Sequence, residues 1–201
     1  MQGDYDRAIA YYTEVIRLDP QHARAHCLRG EAYYMQGDYD RAIADAGEAL
    51  RLDPQLARAY CTRGDACYMK GDYDRAIADA SMAIRLDPEQ ARAYCRRGGA
   101  YRMKGEYDRA IADAGEAIRL NPKHARAYCI RGDACYMRGD YDRAIADASE
   151  AIRLDPEQVW AYYRRGGAYR RKGDCDRAIA DYTVAIRLDP QSAWALSLIH
   201  I

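Results

Sequence analysis

The 201-residue chain has no phenylalanine, only four lysines and no long apolar run. Without a run near the ~18 residues that a bilayer crossing needs, a membrane-spanning helix is not expected. No apolar stretch follows the start, so a secretion signal is not expected either. The 31 basic and 31 acidic side chains cancel. The chain therefore carries no net field toward nucleic acid or an anionic membrane, and no continuous basic stripe marks it as an RNA-binding solenoid. The seven cysteines are an odd number, contain no C-x-x-C pair and fall inside helical patterns, which points to reduced thiols in a cytoplasmic setting. His22, His26, His124 and His200 do not cluster with them. Neither a metal site nor a cofactor is expected, and no glycine-rich loop suited to phosphate is present.

What the chain has in abundance is repetition. Proline stands at 20, 54, 88, 122, 156 and 190, a constant step of 34 residues. Gly30, Gly64, Gly98, Gly132 and Gly166 keep that step, as do Gly3, Gly37, Gly71, Gly105, Gly139 and Gly173. A period of 68 is superposed: Arg63-Gly64-Asp65-Ala66-Cys67-Tyr68-Met69 returns as Arg131 to Met137, and Arg97-Gly98-Gly99-Ala100-Tyr101-Arg102 as Arg165 to Arg170. In the unit 57–90, Tyr60, Gly64 and Cys67 form one stripe of a first helix predicted from Ala57 to Lys70. Gly71-Asp72 breaks it. Ala76, Ile77, Ala80, Ala83 and Ile84 form the inner stripe of a second helix predicted from Tyr73 to Leu86, and Pro88 ends it by steering the preceding residue out of the α region. Neither helix buries its stripe alone, so the hairpins must stack.

Gly64, Tyr73, Ala76, Ala83 and Pro88 of this unit resemble the tetratricopeptide repeat, and the resemblance runs over residues 1–195. It implies an all-α fold, a right-handed superhelical solenoid of antiparallel helix-turn-helix hairpins. The expected division is a half repeat at 1–22 holding a second helix only, then repeats at 23–56, 57–90, 91–124, 125–158 and 159–192, and the start of another at 193–201. The final Leu196-Ser197-Leu198-Ile199-His200-Ile201 abandons the pattern and resembles a translated sequencing adapter, so the chain is expected to be a fragment of a longer bacterial array.

Two departures from the family pattern carry physical information. Arg29, Arg63, Arg97, Arg131 and Arg165 stand where the family places a buried leucine. A buried arginine needs a partner, and Asp45, Asp79, Asp113, Asp147 and Asp181 lie sixteen residues on, which predicts an Arg–Asp rung in each unit. Ala46, Ala80, Ala114 and Ala148 replace a large aromatic that Tyr12 and Tyr182 retain; Tyr60, Tyr94, Tyr128 and Tyr162 are the expected fillers. Gly47 and Gly115 follow two of these alanines inside a helix, at a cost of ~1 kcal/mol each relative to alanine, and closer helix packing is the expected compensation.

The resemblance implies a peptide groove lined by the first helices. The positions carried over are Arg58, Thr62, Asp65, Tyr68, Arg92, Arg96, Arg102, Arg126, Ile130, Asp133, Tyr136, Trp160, Arg164 and Arg170. Of the lysine–asparagine–arginine clamp that grips a C-terminal carboxylate in co-chaperone members, only Arg92 and Arg96 fall on equivalent sites, so that clamp is not expected. Arginine and tyrosine are frequent binding hot spots, and the arginines suit an acidic segment. Paired carboxylates such as Asp72 and Asp74 recur in every unit, where they suit helix starts. An active site should break the repeat symmetry at one place, and none is seen. The chain is therefore read as a non-enzymatic scaffold binding a protein or peptide, with no nucleic-acid or membrane partner. Its rivals are an accessory region of a larger enzyme or regulator, and an array that self-associates through uncapped ends.

Overall fold

The computed structural model of the protein describes residues 2–190, so the terminal segment that resembles an adapter lies outside the described residues. Within them, all regular structure is helical: α1 (Gln2–Leu18), α2 (Ala23–Gln36), α3 (Tyr39–Leu52), α4 (Ala57–Met69), α5 (Tyr73–Leu86), α6 (Ala91–Met103), α7 (Tyr107–Leu120), α8 (Ala125–Met137), α9 (Tyr141–Leu154), α10 (Val159–Arg171) and α11 (Cys175–Leu188). The chain divides into two compact units at Lys104/Gly105. In the first, α1 to α6 pack in sequence order and the first helices also touch, α2 on α4 and α4 on α6. In the second, α7 to α11 do the same, with α8 on α10.

The breaks between helices follow from the backbone. Gly37 sits at φ +84° and Gly71 at φ +82°, a left-handed conformation that a side chain resists, and each ends a first helix there. The next aspartate caps the second helix: Asp38 accepts from the Arg41 N–H at 3.1 Å and Asp72 from the Arg75 N–H at 3.1 Å. Each hairpin then closes on an Asp-Pro or Asn-Pro turn. The extended Asp53 accepts from the Gln55 N–H at 2.9 Å, and Asn121 from the Lys123 N–H at 3.0 Å.

The core is built of small side chains. Cys27, Cys67, Cys95 and Cys135 are among the largest that are fully buried, and alanines supply most of the rest. Tyr60 packs against the cluster of Cys27, Ala49, Leu50 and Ala59. Small side chains let the paired helices approach closely. A Cβ added to Gly64 would stand 3.1 Å from the Asp79 Cβ, and one added to Gly30 would stand 3.2 Å from both the Ala42 carbonyl oxygen and the Asp45 Cβ.

Beside that contact the arginines meet their aspartates. Arg29 donates through Nε and Nη2 to Asp45 at 2.7 and 2.8 Å, and Arg63 to Asp79 at 2.9 and 2.7 Å. In the second unit Arg131 holds Asp147 at 2.8 and 2.7 Å, and Arg165 holds Asp181 at the same distances. These bidentate pairs are nearly buried, with the Asp79 side chain 6% and the Arg63 side chain 23% exposed. Arg97 and Asp113 stand on opposite sides of the division between the units, and Asp113 is buried.

The same guanidinium also reaches back one hairpin. Arg29 donates to the Thr13 hydroxyl at 3.2 Å, Arg97 to Ser81 at 3.1 Å and Arg165 to Ser149 at 3.0 Å. Gly47 and Gly115 occupy this position in the other second helices. Closer packing does not compensate for the glycine at Gly47: a Cβ there would meet nothing within 4 Å, and at Gly115 it would lie 3.9 Å from Arg131 Nη1. The expected compensation by closer packing is therefore absent: open space faces Gly47 and the end of a long arginine faces Gly115.

A second ladder lies on the exposed surface. It joins the end of a first helix to the start of the preceding second helix, through Gln36–Asp6, Lys70–Asp40, Lys104–Asp74, Arg138–Asp108 and Lys172–Asp142. The charged partners are largely solvated, and such pairs contribute little each.

Two outcomes follow from this packing. Asp79→Ala is expected to lower unfolding stability by about 3 kcal/mol, because it strands the Arg63 charge, and Arg63→Leu added to it should recover part of the loss in urea melts; a double variant less stable than Asp79→Ala would overturn the rung's energetic role. Gly47→Ala should raise stability by roughly 1 kcal/mol, whereas Gly30→Ala should lower it, and equal midpoints for the two would contradict the packing described.

Candidate functional site

The first helices bring several expected groove positions together. In the first unit a cavity of about 300 Å³ is lined by Glu31, Tyr34 and Met35 from α2, Arg58, Cys61, Thr62 and Asp65 from α4, Gln90, and Arg92 from α6. Three successive hairpins thus build one recess. Its wall is already internally paired. Arg58 donates to Glu31 at 2.9 and 2.5 Å. Asp65, with its side chain only 4% exposed, holds Arg96 at 2.9 Å and Arg92 at 3.3 Å. Arg96 is itself largely covered. Burial opposes its charge, but Asp65 and the Tyr34 hydroxyl outweigh that effect and raise its pKa. Arg92 remains well exposed beside the recess.

Thr62 is buried and donates to the Arg58 carbonyl at 3.1 Å, so it supports the wall from behind. Cys61 donates its thiol proton to the Gln90 side chain at 3.0 Å. Burial, aided by the Asp65 charge, pushes the Cys61 pKa up to about 11, and burial does the same to Cys27. Both are neutral thiols near pH 7. Tyr68 meets Tyr73 edge to face at 5.5 Å, and Arg102 donates to the Met103 sulfur at 3.0 Å.

In the second unit the corresponding pair is Arg164 with the fully buried Asp133. The Arg164 guanidinium lies 4.4 Å from the Trp160 ring and 5.2 Å from the Tyr136 ring. Trp160 stacks on Tyr163 at 5.3 Å, and Tyr163 packs against Tyr182 at 5.9 Å. Gly167 lies under Tyr136, whose ring would contact its Cβ at 3.4 Å. Ile130 is buried, while Arg126 and Arg170 are exposed. This cluster departs from the repeat symmetry, because Trp160, Tyr163 and Tyr182 replace the usual arginine, cysteine and alanine.

Among the described residues, no cluster of His, Cys, Asp and Glu could hold a metal ion, and no helix is long and apolar enough to cross a membrane.

The tetratricopeptide repeat description matches the chain five times, over residues 2–57, 36–91, 61–118, 95–159 and 138–193. The chain belongs to the tetratricopeptide repeat family. Repeats of this family are generally non-catalytic scaffolds for protein interaction. No curated protein matches the chain. Among solved structures it is similar to YrrB, described as a TPR protein with an unusual peptide-binding site, with a TM-score of 0.72 at 23% identity over 94% of this chain and 98% of that one. It is also similar to MamA, at 30% identity and a TM-score of 0.70 over 82% and 96% of the two chains. A third is pilF of Pseudomonas aeruginosa, at 19% identity and a TM-score of 0.84 over 98% and 90%.

The thiols of this tetratricopeptide array give a pH prediction. Their folded pKa of about 11 lies above the ordinary 9.0, so the fold favours the neutral form. Their contribution to stability is complete below 9.0 and is lost as pH rises from there to about 11. Urea midpoints should fall across that window, and less steeply in Cys27→Ala/Cys61→Ala; parallel slopes would refute the assignment.

Proposed function

We propose that this chain is a protein-interaction scaffold that takes a peptide or protein segment on the face of its first helices, and that it is not itself an enzyme. The observation that carries this reading is the recess shared by α2, α4 and α6, whose walls come from three hairpins and whose polar groups are prearranged by the Glu31–Arg58 and Asp65–Arg96 pairs. Prearranged side chains lose little freedom on binding. YrrB, a family relative in fold, is described as having a peptide-binding site.

An acidic segment would meet Arg92 in the first unit, or Arg126 and Arg170 in the second, all of which are exposed. It would compete with carboxylates already in place at Arg58, Arg96 and Arg164. A cytoplasmic location fits the neutral thiols. A second reading, self-association, is favoured by exposed apolar side chains on the first and last described helices: Tyr11 and Leu18 on α1, Ile179 on α11.

The test is capture of partners by the chain and by an Arg92→Ala/Arg102→Ala/Arg170→Ala variant that keeps the Glu31–Arg58 and Asp65–Arg96 pairs. Loss of bound partners from the variant is expected, and the same partners on both would sink the groove reading. Light scattering of the same preparation across a concentration series separates self-association, which a constant monomer mass would exclude.

A further inference from the structure

In the first unit α3 packs on both α2 and α4, and α5 on both α4 and α6, whereas α1 packs on α2. At the step of 34, Ala8, Tyr11, Tyr12 and Val15 of α1 stand where α3 has Ala42, Asp45, Ala46 and Ala49. On α3 all four are buried, and Gly30 of α2 lies against the first three. On α1 Ala8, Tyr12 and Val15 are only half-buried, and Tyr11 is 66% exposed. Leu18, two turns on, is 71% exposed. These are the two most exposed large apolar side chains among the described residues. Asp4, Arg7, Tyr11, Glu14 and Leu18 follow the alternating three- and four-residue spacing of a heptad seam, with Ala8 and Val15 beside it.

We propose that this stripe binds a second copy of the chain, α1 against α1 in antiparallel, about a two-fold axis between Ala10 and Tyr11. The inference rests on the self-association reading and names the surface and geometry for it. The first argument is charge. Along α1 the signs of Asp4, Arg7, Glu14 and Arg17 alternate. Turned end for end, the helix sets Asp4 opposite Arg17 and Arg7 opposite Glu14, and two-fold symmetry makes each pair twice. A parallel pairing would set every one of these charges against its own kind. Charges flanking an apolar seam fix the partner and its direction in this way. Arg17 and Glu14 of one helix already meet at 2.6 Å, but both are well exposed, and such a pair contributes little.

The second argument is Tyr11 itself. A first helix of this repeat would bring a rung arginine to this place, as Arg29 comes to Asp45. Tyr11 offers that arginine no carboxylate, so the face is not shaped for a repeat helix. It suits the middle of an interface, where a tyrosine buries its ring and keeps its hydroxyl at the wet edge. The third argument is size. A helix of 17 residues is about 25 Å long, so one helix pair lies at or below the ~1,200 Å² of standard interfaces. The dimer is therefore weak and exchanges with monomer.

Sedimentation equilibrium of the full chain over a concentration series is expected to show that exchange. Tyr11→Gln/Leu18→Gln should weaken the dimer at least about tenfold, with unchanged helical circular dichroism, since both side chains are exposed. Arg7→Glu and Glu14→Arg should each weaken it, because each sets like charges opposite one another. An equimolar mixture of these two variants should recover the dimer, because every flanking pair is then opposite in sign. A dimer unchanged by Tyr11→Gln/Leu18→Gln, or a mixture that associates no better than the separate variants, would overturn the proposal. If Ile179→Gln removes association and the α1 changes do not, the α1 inference falls and self-association stands. A constant monomer mass at every concentration removes both. If the chain is monomeric and Tyr11→Gln/Leu18→Gln loses captured partners, the face belongs to another protein and the proposal falls.

Discussion

The hairpins built on Gly30, Gly64 and Gly132 depend on one close contact, between the glycine of the first helix and the aspartate of the second. At Gly64 a side chain would be forced to 3.1 Å from the Asp79 Cβ, so only glycine lets the helices meet at that point. The meeting places the Asp79 carboxylate within reach of the adjacent Arg63, and burial makes the bidentate pair obligatory once either charge is present. The rung therefore selects the register of the hairpin more than it adds stability. It does so without bulk, in keeping with a core of alanine and cysteine. Tyrosine replaces phenylalanine for a related reason: no interior position here encloses a ring completely, and a half-buried ring is best served by a hydroxyl that reaches water. At Arg29, Arg97 and Arg165 the arginine also reaches a serine or threonine of the preceding hairpin, so there one side chain serves both the fold of a unit and its stacking on the last.

The same economy shapes the candidate binding face. Asp65 and Asp133 belong to one type of hairpin, and Arg96 and Arg164 to the type that follows it. The pair forms only where the two types are adjacent, and so it recurs with the 68-residue period and not with the 34-residue one. The charge pairing between neighbouring first helices thus follows the doubled period. It also means that the groove arginines are mostly spoken for within the fold, which leaves apolar and backbone recognition a larger share of any peptide affinity.

Periodicity made most of this legible. A stripe at 3.6-residue spacing and a glycine in the turn located α4 and α5 to within a residue of their ends, and a charged residue at an apolar position announced a partner sixteen residues away. Both readings concern contacts inside one hairpin, where sequence distance and spatial distance are tied by the helix geometry. The pairs Arg58–Glu31 and Arg96–Asp65 join different hairpins, and their register depends on how far one first helix slides on the next. No single repeat encodes that. The stacking of Tyr136 over Gly167 was hidden for the same reason, and the mid-helix glycines misled because open space at Gly47 and a long arginine at Gly115, not a backbone, face them.

The one break in symmetry shows how tightly neighbouring positions are coupled. Tyr182 enters where α3, α5, α7 and α9 carry alanine, and its ring lies 2.8 Å from where a Gly166 Cβ would stand, filling the seam that smaller residues leave to the tyrosine of the next hairpin. Tyr163 packs on that ring and replaces the buried cysteine, and Trp160 stacks on Tyr163 in place of an arginine. Arg164 then spreads over Trp160 while holding Asp133. Each replacement supplies the surface that the next one covers, so reverting any one alone would leave a void or an uncovered ring. The three act as a single substitution, and they concentrate on this hairpin the aromatic surface that the other hairpins distribute one tyrosine at a time.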